Sequence, residues 1–346
     1  MPTKKRCLNG SRRKPPKTGT NTKTSKKKCP KSKLLNPKTN RCINDNKLNR
    51  KKLNIKKSSS KSKLSIKNCS KYGELKNVDL TKINFDTIDG DIIRLNYGDK
   101  PLNTIKFLNE GTYGKVYMYS NRKTKIAVKT YKTLDDEEIG IIDMLNSKNI
   151  SCNTINSKII KVGGIFNSSY ISVMDIMSGG LDKMNGKLSN TEIFNVIKDI
   201  AKHLECLNRA GLSYTDLKCA NILFKCKNSR VIKTVVGDLG GICKKGEDNV
   251  ATWVPFEYRF DRGMVKCSEP TMVWCLGVMI LELLKTNTDM FYWSMIENYN
   301  ENQVIKKVID TYKKYNFPIK MGTLLLLMLS PNPKNRATLQ QIINYV

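Results

Sequence analysis

The globular part of the chain begins with short apolar runs and continues with apolar residues at helical spacing. Runs at Ile105–Leu108, Val116–Met118 and Ile126–Lys129 are bounded by polar residues, which is typical of strands. Lys158–Val162 and Tyr170–Ile176 predict two more strands in the same way. We therefore expect the early globular sequence to form mostly sheet.

The pattern changes after Ser178. Apolar residues then recur at helical intervals, at Ile193, Ile197, Ile200, Leu204 and Leu207. Segments around 272–284, 302–316 and 321–329 predict further helices. One earlier helix is predicted to open at the acidic run 135–138, since acids suit the N-terminal end of a helix dipole. A small β-rich lobe followed by a larger helical lobe leaves a cleft, which is a common place for a ligand.

The first seventy residues differ in composition from the rest. They hold 24 of the 62 lysines and arginines, a single acid (Asp45) and no aromatic residue. So few apolar side chains cannot offset the entropy of ordering, which predicts a disordered basic tail over residues 1–70. Such a tail binds nucleic acid or other polyanions by counterion release. A solubilising or nuclear-targeting extension is the alternative left open.

The cysteines and the single histidine limit the kinds of site that the chain can build. The eleven cysteines include no Cys-x-x-Cys pair, and His203 alone cannot complete a zinc cluster or serve a histidine-dependent triad. We expect scattered thiols, which fit a reducing intracellular compartment. His203 itself, inside a helical pattern, is expected to be a packed or surface residue. The apolar stretches are too short to span a bilayer, so no membrane span is expected.

The stretch from Asp216 to Leu223 carries the strongest chemical signal. Asp216, Lys218 and Asn221 lie between apolar runs and have the spacing of a phosphoryl-transfer loop. In such a loop the aspartate orients and deprotonates an attacking hydroxyl, the lysine neutralises charge on the moving phosphate, and the asparagine oxygen holds Mg²⁺.

Two further motifs point to phosphate binding. Gly111 and Gly114 lie between two predicted strands, where backbone N–H groups can approach phosphates without a Cβ in the way. Alone, such a pair is more often a structural hairpin. Lys129 ends the strand Ile126–Lys129, eighteen residues after Gly111, and the two motifs strengthen each other as a nucleotide site.

In this order, the three motifs resemble the eukaryotic-type serine/threonine protein kinases, and the resemblance covers residues 105–346. Further markers follow in sequence: Gly237-Asp238-Leu239-Gly240, Pro255-Phe256-Glu257, Val273–Gly277 and Met328–Arg336. The resemblance implies an α+β bilobal kinase fold, with a small lobe at 105–177 and a large lobe at 178–346. It also implies a buried pair between Glu257 and Arg336.

The resemblance assigns roles to the nucleotide site. Lys129 would bind the ATP phosphates with Glu138 as its helix partner, although Glu137 is a rival and a plain helix-end charge is a further alternative. Asp238 and Asn221 would hold Mg²⁺. The adenine would lie below Val116 and Ala127 and above Leu223, with Met174 at the back and the hinge at 175–177.

Four positions depart from the family pattern. Asn109 replaces the first glycine of the loop, and Tyr214 replaces the usual histidine before the catalytic aspartate. Thr215 replaces an arginine, which removes the partner of an activation-segment phosphate, and Met272 replaces the aspartate that braces the catalytic loop. Thr252 is expected to contact the catalytic loop. Since the groups with direct chemical work are all present, we expect an active enzyme.

The predicted function is therefore a protein serine/threonine kinase that uses ATP and Mg²⁺ on protein substrates. The alternatives are a pseudokinase scaffold and a polyanion-binding protein that acts through its tail. Within that tail, residues 29–43 resemble the two-cysteine adaptor segments of large nucleocytoplasmic DNA viruses, which implies a viral protein in the host cytoplasm or nucleus or in the virion. Residues 71–104 stay open, as an extra strand or a cap on the small lobe.

Overall fold

The computed structural model describes most of the chain after residue 77 and two short segments before it. The described residues are 33–36, 41–44, 78–88, 91–110, 114–131, 136–147, 150, 152, 157–161, 170–227, 230–315 and 317–346. Inside these ranges the side chains of residues 33–36 and 41–44, of Glu137 and Glu138, and of several other residues lie outside the description. The chain divides into two units, residues 1–63 and 64–346, each described by itself.

The first unit contains a β-hairpin. Strand β1 (Lys33–Asn36) pairs antiparallel with β2 (Arg41–Asn44), with Leu34 opposite Ile43. These strands carry apolar residues of a tail that is otherwise highly polar, and Pro37 and Asn40 lie in the connection between them. These eight residues therefore pair as strands where composition predicts disorder. The rest of the tail lies outside the described residues.

The second unit contains the remaining elements. Its strands are β3 (Ile83–Ile88), β4 (Asp91–Tyr97), β5 (Lys100–Glu110), β6 (Gly114–Ser120), β7 (Lys125–Tyr131), β8 (Ser157–Lys161), β9 (Tyr170–Asp175), β10 (Gly179–Gly180), β11 (Leu212–Tyr214), β12 (Ile222–Lys227), β13 (Arg230–Val236), β14 (Ile242–Lys244), β15 (Asp248–Val250) and β16 (Met264–Lys266). Its helices are α1 (Asp136–Ser147), α2 (Asn190–Arg209), α3 (Glu269–Leu283), α4 (Trp293–Ile296), α5 (Glu301–Tyr315), α6 (Ile319–Met328) and α7 (Leu339–Tyr345).

The bilobal architecture expected from the sequence is confirmed. A sheet with the order β3-β4-β5-β6-β7-β9-β8 forms the small lobe together with α1. From α2 onward the chain forms a helical lobe, in which short strand pairs such as β12–β13 and β11–β14 hold the loops. The predicted strands of the early globular sequence correspond to β5 through β9, most of them longer than the apolar runs alone indicate.

The segment 71–104, left open by the sequence, adds two strands to the small lobe. Strands β3 and β4 extend the sheet beyond β5. A 3₁₀ turn at Leu80–Lys82 precedes them. The extension buries apolar side chains against one face of β7 and β9; this cluster consists of Val78, Leu80, Ile83, Leu95, Leu102, Ile126, Val128, Ile171 and Val173. The extension is therefore part of the small-lobe core and acts both as extra strands and as a cover.

Helix α3 forms the centre of the large lobe. The Ser268 side chain caps its N-terminus, and Pro270 lies in its first turn, where a missing N–H costs nothing. Nearly every side chain from Thr271 to Leu283 is buried. A Cβ on Gly277 would lie only 2.8 Å from the Leu329 side chain, so this position needs glycine for close packing. An apolar helix without a polar face is thereby enclosed on all sides.

Two disulfides of the second unit have both of their cysteines among the described residues. Cys152 bonds to Cys206 of α2, and Cys243 of β14 bonds to Cys267, 24 residues later. The expectation of scattered thiols is wrong at these positions, because folding brings together cysteines that are far apart in the sequence. Cys219 and Cys275 are free thiols in the buried core.

His203 is packed inside the large lobe, one of the two environments expected for it. Its ring is buried, and Nδ1 contacts the backbone carbonyl oxygen of Cys152. Burial lowers the pKa of His203 to about 3. Across the described part of the chain, we find no helix with the length and apolar composition of a transmembrane span.

Candidate active site

The catalytic loop, residues 216–221, is held between two short strands. Strand β11 precedes it and pairs with β14, and β12 follows it and pairs with β10 and β13. Leu217 points into the core and is fully buried, while Asp216 and Lys218 on either side are partly exposed. This alternation presents both polar side chains to the cleft.

The three catalytic residues predicted from the sequence lie in contact. The Lys218 Nζ donates to both carboxylate oxygens of Asp216, at 3.0 and 2.8 Å. The Asn221 amide nitrogen donates to the Asp216 carboxylate at 2.7 Å and to its backbone carbonyl at 2.9 Å. Thr252, predicted to contact the loop, donates its hydroxyl to the same carboxylate. Four side chains therefore converge on one position.

The remaining oxygens suit a hard divalent cation. Because the amide nitrogen of Asn221 is engaged with Asp216 and Tyr214, its side-chain oxygen is left for another ligand; no described hydrogen bond uses it. The Asp238 carboxylate is about one third exposed. Amide and carboxylate oxygens are the donors that Mg²⁺ takes in proteins. The residues present thus fit the predicted metal.

Lys129 and Asp238 approach each other across the cleft. The Lys129 Nζ lies 4.0 Å from Asp238 Oδ1 and 5.1 Å from the centroid of the Tyr131 ring. The lysine is mostly buried, so its charge acts in a partly dehydrated setting, where its attraction for phosphate is stronger than in water. The backbone of Glu138 lies in α1, but its side chain is outside the described residues.

The residues predicted around the adenine form one apolar cluster. Ala127, Met174, Met177 and Val235 are its buried members, and Leu108, Val116 and Leu223 pack against them. Met177 was predicted only as part of the hinge, and the sequence missed Leu108 and Val235. Its position offered a signal for Val235, since it is the last residue but one of β13 and lies two residues before Gly237.

The glycine turn over the cleft is described only in part. Gly114 begins β6, and a Cβ there would come within 1.9 Å of the Thr130 carbonyl oxygen, so only glycine fits. Gly111 lies outside the described residues. Asn109 belongs to β5 and pairs with Val116. The close approach at Gly114 lets β6 pair with β7 from its first residue, where Gly114 lies opposite Tyr131.

Neutral groups hold the catalytic loop in place. The Tyr214 hydroxyl donates to the Asp238 carbonyl oxygen at 2.9 Å and accepts from the Asn221 amide at 3.3 Å. Thr215 donates its hydroxyl to the Val250 carbonyl at 3.0 Å. The Cys275 thiol donates to the carbonyls of Trp253 and Thr215 at 3.3 and 3.6 Å. Burial raises the pKa of Cys275, so the thiol keeps its proton.

The pair predicted between Glu257 and Arg336 is present. The Arg336 guanidinium donates to both carboxylate oxygens, one of them at 2.7 Å, and to three backbone carbonyls. Its side chain is 1% exposed, while that of Glu257 is 20% exposed. The bidentate geometry ties the segment after Thr252 to the C-terminal helices.

A cavity of about 460 Å³ lies between α1 and the residues 240–249, outside the apolar cluster. It is lined by α1, through Ile141 and Met144, and by Ile242 and Cys243 of β14. Because none of the seven cluster residues lines it, we do not assign it to the nucleotide.

Comparison with known proteins agrees with this geometry. The family model for the protein kinase domain matches residues 102–346, more than half of the chain. The chain belongs to the protein kinase family.

Individual relatives of this kinase are distant. A probable serine/threonine-protein kinase of Dictyostelium discoideum is 24% identical over 282 residues, which cover 68% of this chain and 60% of the relative. Calcium-dependent protein kinase 5 of Plasmodium berghei is 24% identical over 269 residues, covering 69% of this chain and 44% of the relative. The kinase thus spans less than two thirds of the length of these relatives.

Within this family, the supports of the catalytic loop replace an aspartate that is usually present on the central helix. Met272, where the kinase family has a bracing aspartate, is fully buried in the core. Its neighbour three positions on, Cys275, reaches the catalytic-loop backbone from the same helix. Glu282 near the end of α3 accepts from the Cys219 N–H at 2.9 Å. Helix α3 therefore still supports the loop, through other side chains than the usual one.

Proposed function

We propose that this kinase transfers the γ-phosphate of ATP to serine or threonine hydroxyls of protein substrates. The observation that carries the proposal is the convergence of Lys218, Asn221 and Thr252 on the Asp216 carboxylate. A carboxylate held by three donors has a fixed position, which is what a residue needs in order to orient an attacking hydroxyl.

The reaction assigns one task to each polar side chain. The substrate hydroxyl donates to Asp216 and passes its proton to that carboxylate as its oxygen bonds to the γ-phosphorus. The bond from that phosphorus to the β-phosphate oxygen breaks, and ADP leaves. Lys218, 2.8 Å from Asp216, is placed to neutralise charge on the transferred group, and Lys129 does so on the nucleotide phosphates.

Asn221 and Asp238 are the residues that would hold Mg²⁺. When bound, Mg²⁺ neutralises charge on the phosphates and aligns them. Gly114 permits the close approach of β6 to the backbone of Thr130 on β7, and the seven-residue apolar cluster encloses the base. Preference for serine and threonine is supported by Lys218, which is typical of that branch, and by the names of the relatives.

Other expectations stay predictions. They are polyanion binding by residues 1–70, the viral origin suggested by residues 29–43, and an intracellular location. Most of the tail lies outside the described residues, and the comparisons do not bear on these points.

Phosphate transfer from labelled ATP to casein, with Mg²⁺, tests the proposal. Wild type should transfer phosphate, and Asp216→Asn should lower kcat by about 10²- to 10⁴-fold, the usual effect of losing a general base. Asp99→Asn, an exposed aspartate of the small lobe, is the matched control and should retain full activity. Equal transfer by wild type and Asp216→Asn, or no transfer by folded wild type, would refute the proposal.

A further inference from the structure

A buried carboxylate at the hinge joins three separate parts of the second unit. Asp175 ends β9, directly before hinge residues Ile176 and Met177, and is 6% exposed. Its Oδ1 accepts the backbone N–H of Val78 at 2.9 Å. Its Oδ2 lies 3.4 Å from the Nζ of Lys225, itself 5% exposed. The N-terminal extension, the hinge and the large lobe therefore meet at one side chain.

The two charges sit beside the roof and the floor of the adenine site. On the roof side, Asp175 pairs in register with Ile126 of β7, next to Ala127. On the floor side, Lys225 lies two residues after Leu223 on β12, and alternate residues of a strand share a face. The contact between Asp175 and Lys225 thus connects β9, which pairs with the roof strand β7, to β12, the strand that carries the floor.

Backbone bonds place the hinge against the same floor strand. The Ser178 N–H donates to the Phe224 carbonyl at 2.8 Å, and Gly179 pairs with Phe224. These bonds fix the end of the hinge that leads into the large lobe. At its other end, where β9 leaves the small lobe, the side chain of Asp175 supplies the connection to β12.

Energy considerations make a positioning role more reasonable than simple stabilisation. A buried ion pair pays a desolvation penalty that often cancels its attraction, so it adds little net stability compared with apolar residues. It does require one geometry, because each charge is costly to bury without its partner. Such a pair fixes the separation of the two strands that carry it. Here those strands, β9 and β12, adjoin the roof and the floor between which the adenine ring must fit.

We propose that Asp175 and Lys225 are positioning residues that set the spacing of the adenine site in this kinase, an inference that rests on the proposed function. The carboxylate also makes that spacing depend on the extension, through the N–H of Val78. Neither side chain touches the reacting atoms, so the pair affects nucleotide affinity and leaves the chemical step alone.

The test removes both charges together, so that neither is left buried without its partner. In Asp175→Asn/Lys225→Met the asparagine still accepts from Val78. We expect the KM for ATP and the Kd for Mg·ADP to rise about tenfold while kcat and the KM for casein change less than about twofold. Asp175→Ala/Lys225→Met also removes the acceptor for Val78 and should weaken nucleotide binding further.

A half-exposed ion pair of the large lobe, away from the hinge, provides the control. In Glu205→Gln/Arg209→Met, charges 2.9 Å apart on α2 are removed, those of Arg209 (70% exposed) and Glu205 (15% exposed), with no expected change in Kd or KM. Thermal unfolding of all variants, with and without Mg·ADP, separates the two roles. A lower Tm with unchanged Kd and KM in both charge-free variants would show a purely structural pair and overturn the inference.

The inference and the proposed function can fail separately. Binding of Mg·ADP is measured without phosphate transfer. Wild type that binds Mg·ADP but transfers nothing would refute the enzyme, while weaker binding by the charge-free variants would still support the positioning role. Wild type that binds no nucleotide would overturn the positioning role itself.

Discussion

The two ends of the cleft are held by different kinds of interaction. At the hinge a carboxylate and an ammonium group, both buried, join three segments. At the catalytic loop, apart from the Lys218 ammonium on Asp216 and the Glu282 carboxylate on the Cys219 N–H, the supports are hydroxyl, thiol and backbone groups of Tyr214, Thr215 and Cys275. Each neutral hydrogen bond contributes about 1 kcal/mol to stability, so losing one has a small effect. Removing one partner of a buried ion pair costs much more, because the other charge stays buried without compensation.

This difference shows how a kinase can lose two family charges and keep its loop in place. The arginine and the aspartate that the family uses beside the catalytic loop are replaced here by Thr215 and Met272. The Thr215 N–H and hydroxyl bond to the carbonyls of Gly241 and Val250, so the activation segment is joined to the loop directly. A phosphate on that segment would find no arginine at position 215 to bind.

The largest effect is expected from restoring the family's aspartate. Met272→Asp would bury a carboxylate among groups whose bonds are already made, and we expect a loss of about 3–5 kcal/mol in the free energy of unfolding. Met272→Leu, which conserves volume, should cost less than about 1.5 kcal/mol. Urea unfolding measures both. If Met272→Asp proved as stable as wild type, groups around position 272 would still be able to bind a carboxylate, and the idea that their hydrogen bonds are already made would be wrong.

Acid is expected to destabilise the large lobe through His203. Its pKa is about 3 in the fold and 6.5 when exposed, so below pH 6.5 the unfolded chain binds a proton that the folded chain does not. The free energy of unfolding should fall by about 1.4 kcal/mol per pH unit from pH 6.5 down towards pH 3. Within the described residues Nε2 has no hydrogen-bond partner, so a proton there would be buried unpaired.

Urea unfolding between pH 7 and 4.5 checks this slope. His203 is the only histidine of the chain, so His203→Asn should remove the part of the slope that lies between pH 6.5 and 4.5. An identical slope in the variant would assign the acid sensitivity to carboxylates instead.

A smaller effect is expected from the Tyr214 hydroxyl, which joins the two proposed metal ligands, Asn221 and Asp238. Tyr214→Phe leaves the Asp238 carbonyl and one Asn221 N–H without this contact, and we expect kcat to fall about tenfold, or about 1.4 kcal/mol. Its neighbour Ser213 is also buried, and its hydroxyl has no described partner, so Ser213→Ala should change kcat by less than about twofold. Equal kcat values for Tyr214→Phe and Ser213→Ala would show that the Tyr214 hydroxyl does not help to position the site.

The smallest effect belongs to Thr215. Thr215→Val keeps the shape of the side chain and removes its bond to Val250, for an expected loss of about 0.5–1.5 kcal/mol in unfolding free energy. The KM for casein should rise more than the KM for ATP, since Val250 belongs to the activation segment. The opposite ranking would place Thr215 with the nucleotide site.

The sequence predicted those parts of the molecule that depend on local order. Apolar runs located β5 to β9, and the residues from Asp216 to Asn221 are close enough in the chain for their spacing to indicate their chemistry. The pair of Glu257 and Arg336, 79 residues apart, was reached only through the family resemblance. The side chain of Glu138 and the position of Gly111 stay predictions.

The rest depends on contacts that no local pattern reveals. Val78 and Asp175 are 97 residues apart in the chain. Nothing in the sequence around Lys225 distinguishes it from a solvent-exposed lysine on a strand. Strands β3 and β4 carry no motif, and the packing of Ile83 and Leu95 against β7 and β9 decides their place. The disulfides Cys152–Cys206 and Cys243–Cys267 likewise arise because folding brings the paired cysteines together.

The bond between Cys243 and Cys267 closes the chain between them into a covalent ring that contains Thr252 and Glu257. Arg262 lies in this ring, exposed in a turn with a φ of 51°. A protease that cuts after Arg262 would therefore leave two fragments that remain one molecule. On a gel without reductant such a nicked kinase would migrate close to the intact protein, and only a thiol reagent would separate the piece that carries Lys129 and Asp216 from the piece that carries Arg336.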